Sequence, residues 1–541
     1  MPVGRSFKQQ PPKGTFDAIV IGSGIGGLVA AAALAKYGQK RVLVLERHYR
    51  LGGYTHVFTR PGYEWDVGVH YVGSVGAQGS LRPLFDRLTD AQLAWAPLPD
   101  VYDAIELGER RYELVSGAKR FVAKLAESFP AERGALEQYV RLVSSTARKG
   151  QLGFMSRLSP PPSTPRVVGH ALEKSAAPRF TRDVLLELTR NEELLAVLTG
   201  QYGDYGLPPR RSSFSMHAAV VEHYLEGAFY PVGGSSQFAV TLAPAIEAAG
   251  GHLALSAEVE QVIIEGGAAV GVRLTGGEEL RAPLIISDAG LPNTFGRLVP
   301  EAHRPPGYVD ALRRVEPSSA YLCLYLGFKH TDAELGLTGT NLWVYPDERH
   351  DENVERFAVD PDAPFPMLYF SFPSAKDPDF QRRHPGRATV EVITMARWEW
   401  FSKWAGSRWQ KRGPEYEALK QRFKDRLLDA VYRRLPQLRG RVDHAELSTP
   451  LSTAHFSGHP RGEIYGLDSS PARFDLPLRA KTPVPGLYLT GADLASCGVA
   501  GAAFGGALCT GAILGQKVMW DLLSLSLRSG ERAGVRGERS Q

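Results

Sequence analysis

Short unbroken apolar runs alternate with helical, small-residue stretches near the start of the chain, and that alternation predicts its architecture. Phe16–Ile21 (FDAIVI) reads as a buried parallel strand. Gly22–Gly27 follows as a turn, Leu28–Tyr37 as a small-residue helix, and Arg41–Leu45 as the next strand, closed by Glu46. A parallel pair needs a crossover helix, so this is one βαβ unit. Thr181–Leu198 has the apolar period of a single helix and follows a Pro-rich loop at Ser159–Pro165. Phe229–Phe238 leads into a helix that ends at Gly250–Gly251. Leu253–Ser256, Val259–Ile264, Val270–Leu274 and Leu284–Ser287 read as strands. Gly486–Gly491 is a last core strand, and a Gly/Ala-rich helix over 498–517 follows it. The pattern is α/β, with nucleotide-binding pieces at 14–80, 215–300 and 441–520. A mixed substrate region is expected at 81–214 and 301–440, and a basic tail at 521–541.

Bulk properties narrow this only a little. A chain of 541 residues should divide into two or more lobes. Its net charge of +5 makes a weak case for nucleic acid. Basic residues cluster at the ends: Arg5, Lys8 and Lys13, then Arg528, Arg532, Arg536 and Arg539. Both ends are expected to be solvated and unstructured. The alternative is a weak pull toward anionic lipid, about 1 kcal/mol per basic residue at the surface. Cys323, Cys497 and Cys509 are spaced for neither a disulfide framework nor a metal site, which fits a reducing compartment. No secretory signal and no run of about 18 apolar residues is visible. The expectation is a cytoplasmic protein, peripheral to a membrane's inner face if it meets one.

The chemistry starts at Gly22, Gly24 and Gly27, a GxGxxG motif with Ser23 and Gly26 inside it. The motif follows a strand and opens a helix, and the acidic Glu46 ends the next strand 19 positions after Gly27. Gly22 permits the tight turn, Gly24 lets a pyrophosphate approach the backbone, and Gly27 allows close helix–strand packing. The helix N-terminus stabilises phosphate charge, and Glu46 can accept hydrogen bonds from a ribose. Only one such fingerprint is present, because Gly233–Gly234 follows Pro231 and Val232 rather than a buried strand. A nicotinamide donor, NAD(P)H, would therefore dock only transiently, or electrons would come from another donor.

The stretch from Gly22 to His48, Trp65–Gly73 (WDVGVHYVG), Ser213–His217, Gly227–Ser236, Phe372–Asp377, His459–Gly462 and YLTGAD…GVAGA at the C-terminal end resemble the carotenoid and retinoid oxidoreductases. The broader superfamily includes phytoene desaturases, carotene isomerases and flavin amine oxidases. The resemblance implies a Rossmann-type FAD-binding domain of the glutathione-reductase/amine-oxidase class, with an interleaved α+β substrate domain. It places FAD contacts at Gly22, Ser23, Gly24, Gly26, Gly27, Glu46, Arg47, Gly52, Gly53, Val259, Gly491, Asp493, Gly498 and Val499. After the Gly52–Gly53 pair, where relatives carry a cysteine pair or an arginine, this chain has Tyr54, Thr55 and His56.

The implied reaction is hydride transfer between flavin and a carbon of an apolar polyene, a retinoid or carotenoid. Reduction ranks ahead of desaturation or isomerisation, then a flavin amine oxidase, then a prenyl-carrying binder of the same fold. A polyene requires a dry tunnel, since burial at about 25 cal/mol per Å2 must supply its affinity. Phe229–Tyr230, Trp343–Tyr345, Tyr369–Phe372 and Trp398–Trp409 could wall it or simply pack the core. His70 and Tyr71 are the candidates for moving the proton, because imidazole and phenol can both exchange one. His217 reads as a structural histidine, His455 and His459 as either, and nothing in the spacing suggests a metal.

Overall fold

The protein is described by a computed structural model over residues 3–155, 179–476 and 478–524. The Ser159–Pro165 loop and the C-terminal arginines lie outside the described residues. A parallel sheet of six strands forms one half, in the spatial order Arg5–Ser6, His252–Leu255, Val42–Glu46, Ala18–Ile21, Leu284–Ser287 and Leu487–Leu489. Ile19 faces Leu43, and Ile285 faces both Ile19 and Leu487. The strands Ala18–Ile21 and Val42–Glu46 are buried along their whole length, because the helix Ile25–Gly38 covers one face and the antiparallel strands Val259–Glu265 and Ala268–Leu274 pack on the other. This is the α/β arrangement expected from the run-and-turn pattern.

The helix Ile25–Gly38 is buried continuously from Ile25 to Ala35, between the sheet and the helices Gln237–Ala248 and Gly498–Leu514. A helix apolar on all sides belongs inside a large core. Its small side chains set how near the neighbours come: a Cβ on Gly506 would stand 2.7 Å from Val29 Cγ1 and 2.8 Å from the Gly26 carbonyl.

The other half is a seven-stranded sheet ordered Val442–Ser448, Ala320–Phe328, Ala388–Ala396, Leu368–Ser371, Asn341–Tyr345, Val101–Leu107 and Arg110–Val115. All its pairings are antiparallel except that of Asn341–Tyr345 with Val101–Leu107, where Asn341 faces Asp103. Strands from before residue 120 and after residue 320 therefore share one surface.

Three expectations change. Thr181–Leu198 is two helices, Thr181–Leu185 and Glu192–Leu198. Thr189 Oγ1 accepts the Asn191 N–H at 3.0 Å, and the Asn191 side chain accepts from Leu194 N at 3.1 Å. Those local bonds cap a new helix instead of continuing the old one. The Gly/Ala helix stops at Leu514, because Gly515 takes φ +101°, and Gln516–Leu523 is a separate helix. The N-terminal basic segment is no free tail: Arg5–Ser6 pairs with His252–Leu255, and the Phe7 N–H donates to the Leu255 carbonyl at 2.9 Å.

Candidate active site

The strand Ala18–Ile21 runs into Gly22 at φ +96°, and Gly24 caps the helix that follows. Behind the turn stands the Glu46 carboxylate, 6% exposed. It accepts Ser23 N at 2.9 Å, Ser23 Oγ at 2.5 Å and His48 N at 2.8 Å, so one acid ties the glycine turn to the end of the second strand. Ser23 Oγ in turn accepts the Gly52 N–H at 3.0 Å. Burial raises the Glu46 pKa against these donors. Gly53 lies over the turn so closely that a Cβ there would stand 3.0 Å from Gly24 Cα. Asp493 is locked too: its two oxygens accept Leu291 N at 2.7 Å and Leu467 N at 2.8 Å.

A single cavity of about 480 Å3 begins at this turn. Of the positions singled out in the sequence, Gly22, Ser23, Gly24, Glu46, Arg47, Gly52, Gly53, Val259, Asp493, Gly498, Val499 and His70 line it. Gly26, Gly27 and Gly491 do not; they make the turn compact from behind. A Cβ on Gly26 would stand 2.5 Å from Gly491 Cα, and one on Gly27 would stand 2.5 Å from the Gly22 carbonyl. At Gly498, φ +76°, an added Cβ meets nothing within 4 Å, so that backbone opens onto the space. A helix N-terminus, a glycine cradle and a buried acid at the end of the second strand fit the pyrophosphate and ribose of FAD.

The far end of the cavity is walled by Tyr321, Trp343, Met367, Tyr369, Ile393 and Tyr465. Trp409 stands elsewhere along the lining, stacked on His455 at 4.8 Å. The remaining aromatic candidates, Phe229, Tyr230, Tyr345, Phe370, Phe372, Trp398, Trp400, Phe401 and Trp404, pack away from it.

Beneath this apolar end lies a set of buried ionisable groups. His70 Nδ1 is 3.0 Å from Glu391 Oε2, and its ring meets Tyr369 edge-on at 5.3 Å. Burial, then Lys376, depresses the His70 pKa to about 3, so its ring is neutral. Burial lifts Glu391 to about 8 and Asp66 to about 7, and lowers Lys376 to about 8. Lys376 Nζ donates to the His70 carbonyl at 2.9 Å and to Ser371 Oγ at 2.7 Å.

Tyr71 does not reach the cavity. Its hydroxyl lies 3.0 Å from Asp103 Oδ2 and 2.9 Å from Asp204 Oδ2. His70 and Tyr71 lie in the loop before the strand Val72–Gly73, and their side chains part there, His70 to the cavity lining and Tyr71 into the buried core. His217 is structural: Tyr139 and Tyr205 hydroxyls bond its two nitrogens at 2.8 and 3.1 Å.

A family model for flavin containing amine oxidoreductase matches residues 25–514. The chain belongs to that family. All-trans-retinol 13,14-reductase of Danio rerio is 37% identical over 536 residues, 95% of this chain and 88% of that protein. The Homo sapiens protein of the same name is 38% identical over 547 residues, 97% and 89% of the two chains. Among solved structures, cyclohexylamine oxidase from Brevibacterium oxydans IH-35A superposes with a TM-score of 0.58 at 18% identity, covering 94% of this chain and 100% of that one. That likeness is one of fold.

For a flavin-containing amine oxidoreductase, two features of the site were missed in the sequence. Asp288, directly after Leu284–Ser287, accepts the Gly27 and Gly24 N–H groups and sits under the glycine turn. An acid ending a buried strand, as Glu46 does, was the available signal. The second is the pair Asp103 and Asp204, far apart in sequence and joined through the Tyr71 hydroxyl. No helix among the described residues is long and apolar enough to cross a membrane.

Proposed function

We propose that this protein is an FAD-dependent oxidoreductase that reduces a carbon–carbon double bond of an apolar conjugated isoprenoid, a retinoid or a carotenoid. The observation that carries the reading is the continuity of one cavity whose lining runs from the glycine turn to a group of aromatic side chains. A nucleotide lies along the first part and a chain without hydrogen-bonding groups fills the second. Its relatives of 37–38% identity over nearly the whole length bear the name all-trans-retinol 13,14-reductase. Gly22, Ser23, Gly24, Glu46, Arg47, Gly52, Gly53, Val259, Asp493, Gly498 and Val499 hold FAD, with Gly26, Gly27 and Gly491 keeping the turn tight. Bound and reduced, FAD supplies a hydride.

The protein's own residues do the rest. Tyr321, Trp343, Tyr369 and Tyr465 exclude water and hold the polyene by apolar contact. Neutral His70 lines the same wall, its Nδ1 3.0 Å from Glu391 Oε2. The residues at 81–214 and 301–440 supply the substrate lobe, and NAD(P)H or another donor visits to reduce the flavin.

The test is anaerobic. The purified holoprotein is reduced and mixed with all-trans-retinol or a linear carotene in detergent. Flavin reoxidation with a product that has gained two hydrogens supports the reading. A product that has lost two hydrogens, formed by the oxidised protein, means a desaturase, and an altered isomer of unchanged mass means an isomerase. Response to amines alone refutes all three.

A further inference from the structure

We propose that Asp204 is the acid that protonates the polyene, a role that rests on the reduction proposed above. The argument begins with a count of hydrogens. The Tyr71 hydroxyl has one hydrogen and two carboxyl oxygens within bonding distance, Asp103 Oδ2 at 3.0 Å and Asp204 Oδ2 at 2.9 Å. One of these contacts must therefore be made with a hydrogen that a carboxyl supplies. Asp103 already accepts Gln201 Nε2 at 2.7 Å and Asn341 Nδ2 at 2.9 Å, the donor set of an ionised carboxylate. Asp204 has no such support: among the described residues, its carboxyl bonds to Tyr71 alone. The hydrogen is on Asp204, which donates to the Tyr71 oxygen while Tyr71 donates to Asp103. Two carboxylates sharing one phenol in a dry site could not both hold charge.

Burial and the nearby Asp103 charge push the Asp204 pKa well above the ordinary carboxylate range, in agreement with the count. The charged and titratable groups around it are Asp103, Lys376, Cys497 and the tyrosines Tyr71, Tyr205, Tyr224, Tyr321, Tyr345, Tyr369 and Tyr465. Position completes the case. Asp204 lines the cavity at its apolar end and is only partly buried there. Its short 3-10 turn, Tyr202–Asp204, is held by the hydroxyls of Tyr321 and Tyr465, which donate to the Gly203 carbonyl at 3.1 and 3.0 Å. His70, which also lines the cavity, is a neutral imidazole and a far weaker acid than a carboxyl.

In the step, the Asp204 O–H bond breaks as a C–H bond forms at the carbon beside the one that takes the hydride. The π electron pair makes that C–H bond, and the reduced flavin is the two-electron reductant. Asp204 is left as a carboxylate, toward which the Tyr71 hydrogen turns. A proton from water restores the acid after the product leaves.

The test compares holoprotein of wild type, Asp204→Asn and Asp204→Glu. Asn keeps the shape and can donate to Tyr71 but has no proton to transfer. Expected for Asp204→Asn is loss of polyene-driven flavin reoxidation by about 100-fold or more, with reoxidation by an artificial electron acceptor, FAD binding and retinol binding unchanged. Asp204→Glu should recover part of the rate. Infrared spectra at neutral pH should show one protonated-carboxyl band in wild type that Asp204→Asn lacks. Polyene reduction by Asp204→Asn at close to the wild-type rate, or identical carboxyl bands in the two proteins, overturns the proposal while leaving the reduction itself standing. A wild-type protein that reduces no polyene overturns the reduction and this role together.

Discussion

Asp288→Asn should make the protein's stability less sensitive to alkali, and the size of the effect follows from one buried proton. The Asp288 carboxyl is pushed up to about 8 by burial, with Glu46 and Asp493 adding repulsion and the Gly27 and Gly24 N–H groups opposing it. In the unfolded chain the same group titrates near about 3.9. Between those values the folded chain keeps a proton that the unfolded chain has released, so stability falls as pH rises and the loss ends above the folded pKa. The slope is about 1.4 kcal/mol per pH unit, or about 3 kcal/mol between about pH 5 and pH 7. Asparagine has no proton to lose, and its amide oxygen can accept the same two N–H groups. The buried acids Glu391 and Asp66 titrate in both proteins and cancel in the difference. Urea unfolding of flavin-free wild type and Asp288→Asn, followed by tryptophan fluorescence across this range, measures it. The stability of Asp288→Asn relative to wild type should climb steadily with pH. A difference constant within about 0.5 kcal/mol would show that Asp288 is ionised when folded and refute the reasoning.

Three further substitutions probe the rest of the site. Glu46→Ala strips the acceptor from two backbone N–H groups and the Ser23 hydroxyl, which should cost about 2–5 kcal/mol in chemical denaturation and leave the purified protein colourless. Gly26→Val places a Cβ 2.5 Å from Gly491 Cα and 2.7 Å from Asp288 Oδ1, so a loss of about 1–3 kcal/mol is expected, read as a lower Tm and less bound flavin. Trp343→Ala removes a ring 4.3 Å from Tyr369 in the cavity wall; stability should fall by about 3 kcal/mol, with weaker retinol binding in a fluorescence titration and unchanged FAD affinity.

The nucleotide end of the site was legible because physics writes it into contiguous residues. A strand covered on both faces must be apolar throughout, as Ala18–Ile21 and Val42–Glu46 are, so its ends stand out and the polar Glu46 is conspicuous. The turn between them needs glycine where φ is positive, at Gly22, and where another backbone comes near, at Gly26. What failed there were features carried by very few residues. The strand Arg5–Ser6 has too little length to show any period, and the break at Thr189–Asn191 depends on two side-chain bonds inside an otherwise helical pattern.

The apolar end was opaque for a different reason. Its polar residues sit singly within strands that otherwise read as core: Asp103 in VYDAIEL, Glu391 in ATVEVITMA, Asn341 at the head of NLWVY. Alternation along an isolated strand assigns such residues to a solvent face. Yet Asp103, Asn341 and Glu391 are fully buried, because this sheet is covered on the side they occupy. Only the parallel pairing of Asn341–Tyr345 with Val101–Leu107 sets Asn341 against Asp103, and only the fold brings Tyr71 and Asp204 to them. Burying an acid without full pairing costs several kcal/mol, so a tunnel that merely carried a lipid would do better with leucine at each place. A reduction is different: the hydride accounts for one new C–H bond, and a proton must reach the neighbouring carbon through a dry wall. A protonated acid beside an apolar cavity is what that second bond requires, and it separates a reductase of polyenes from a carrier of them.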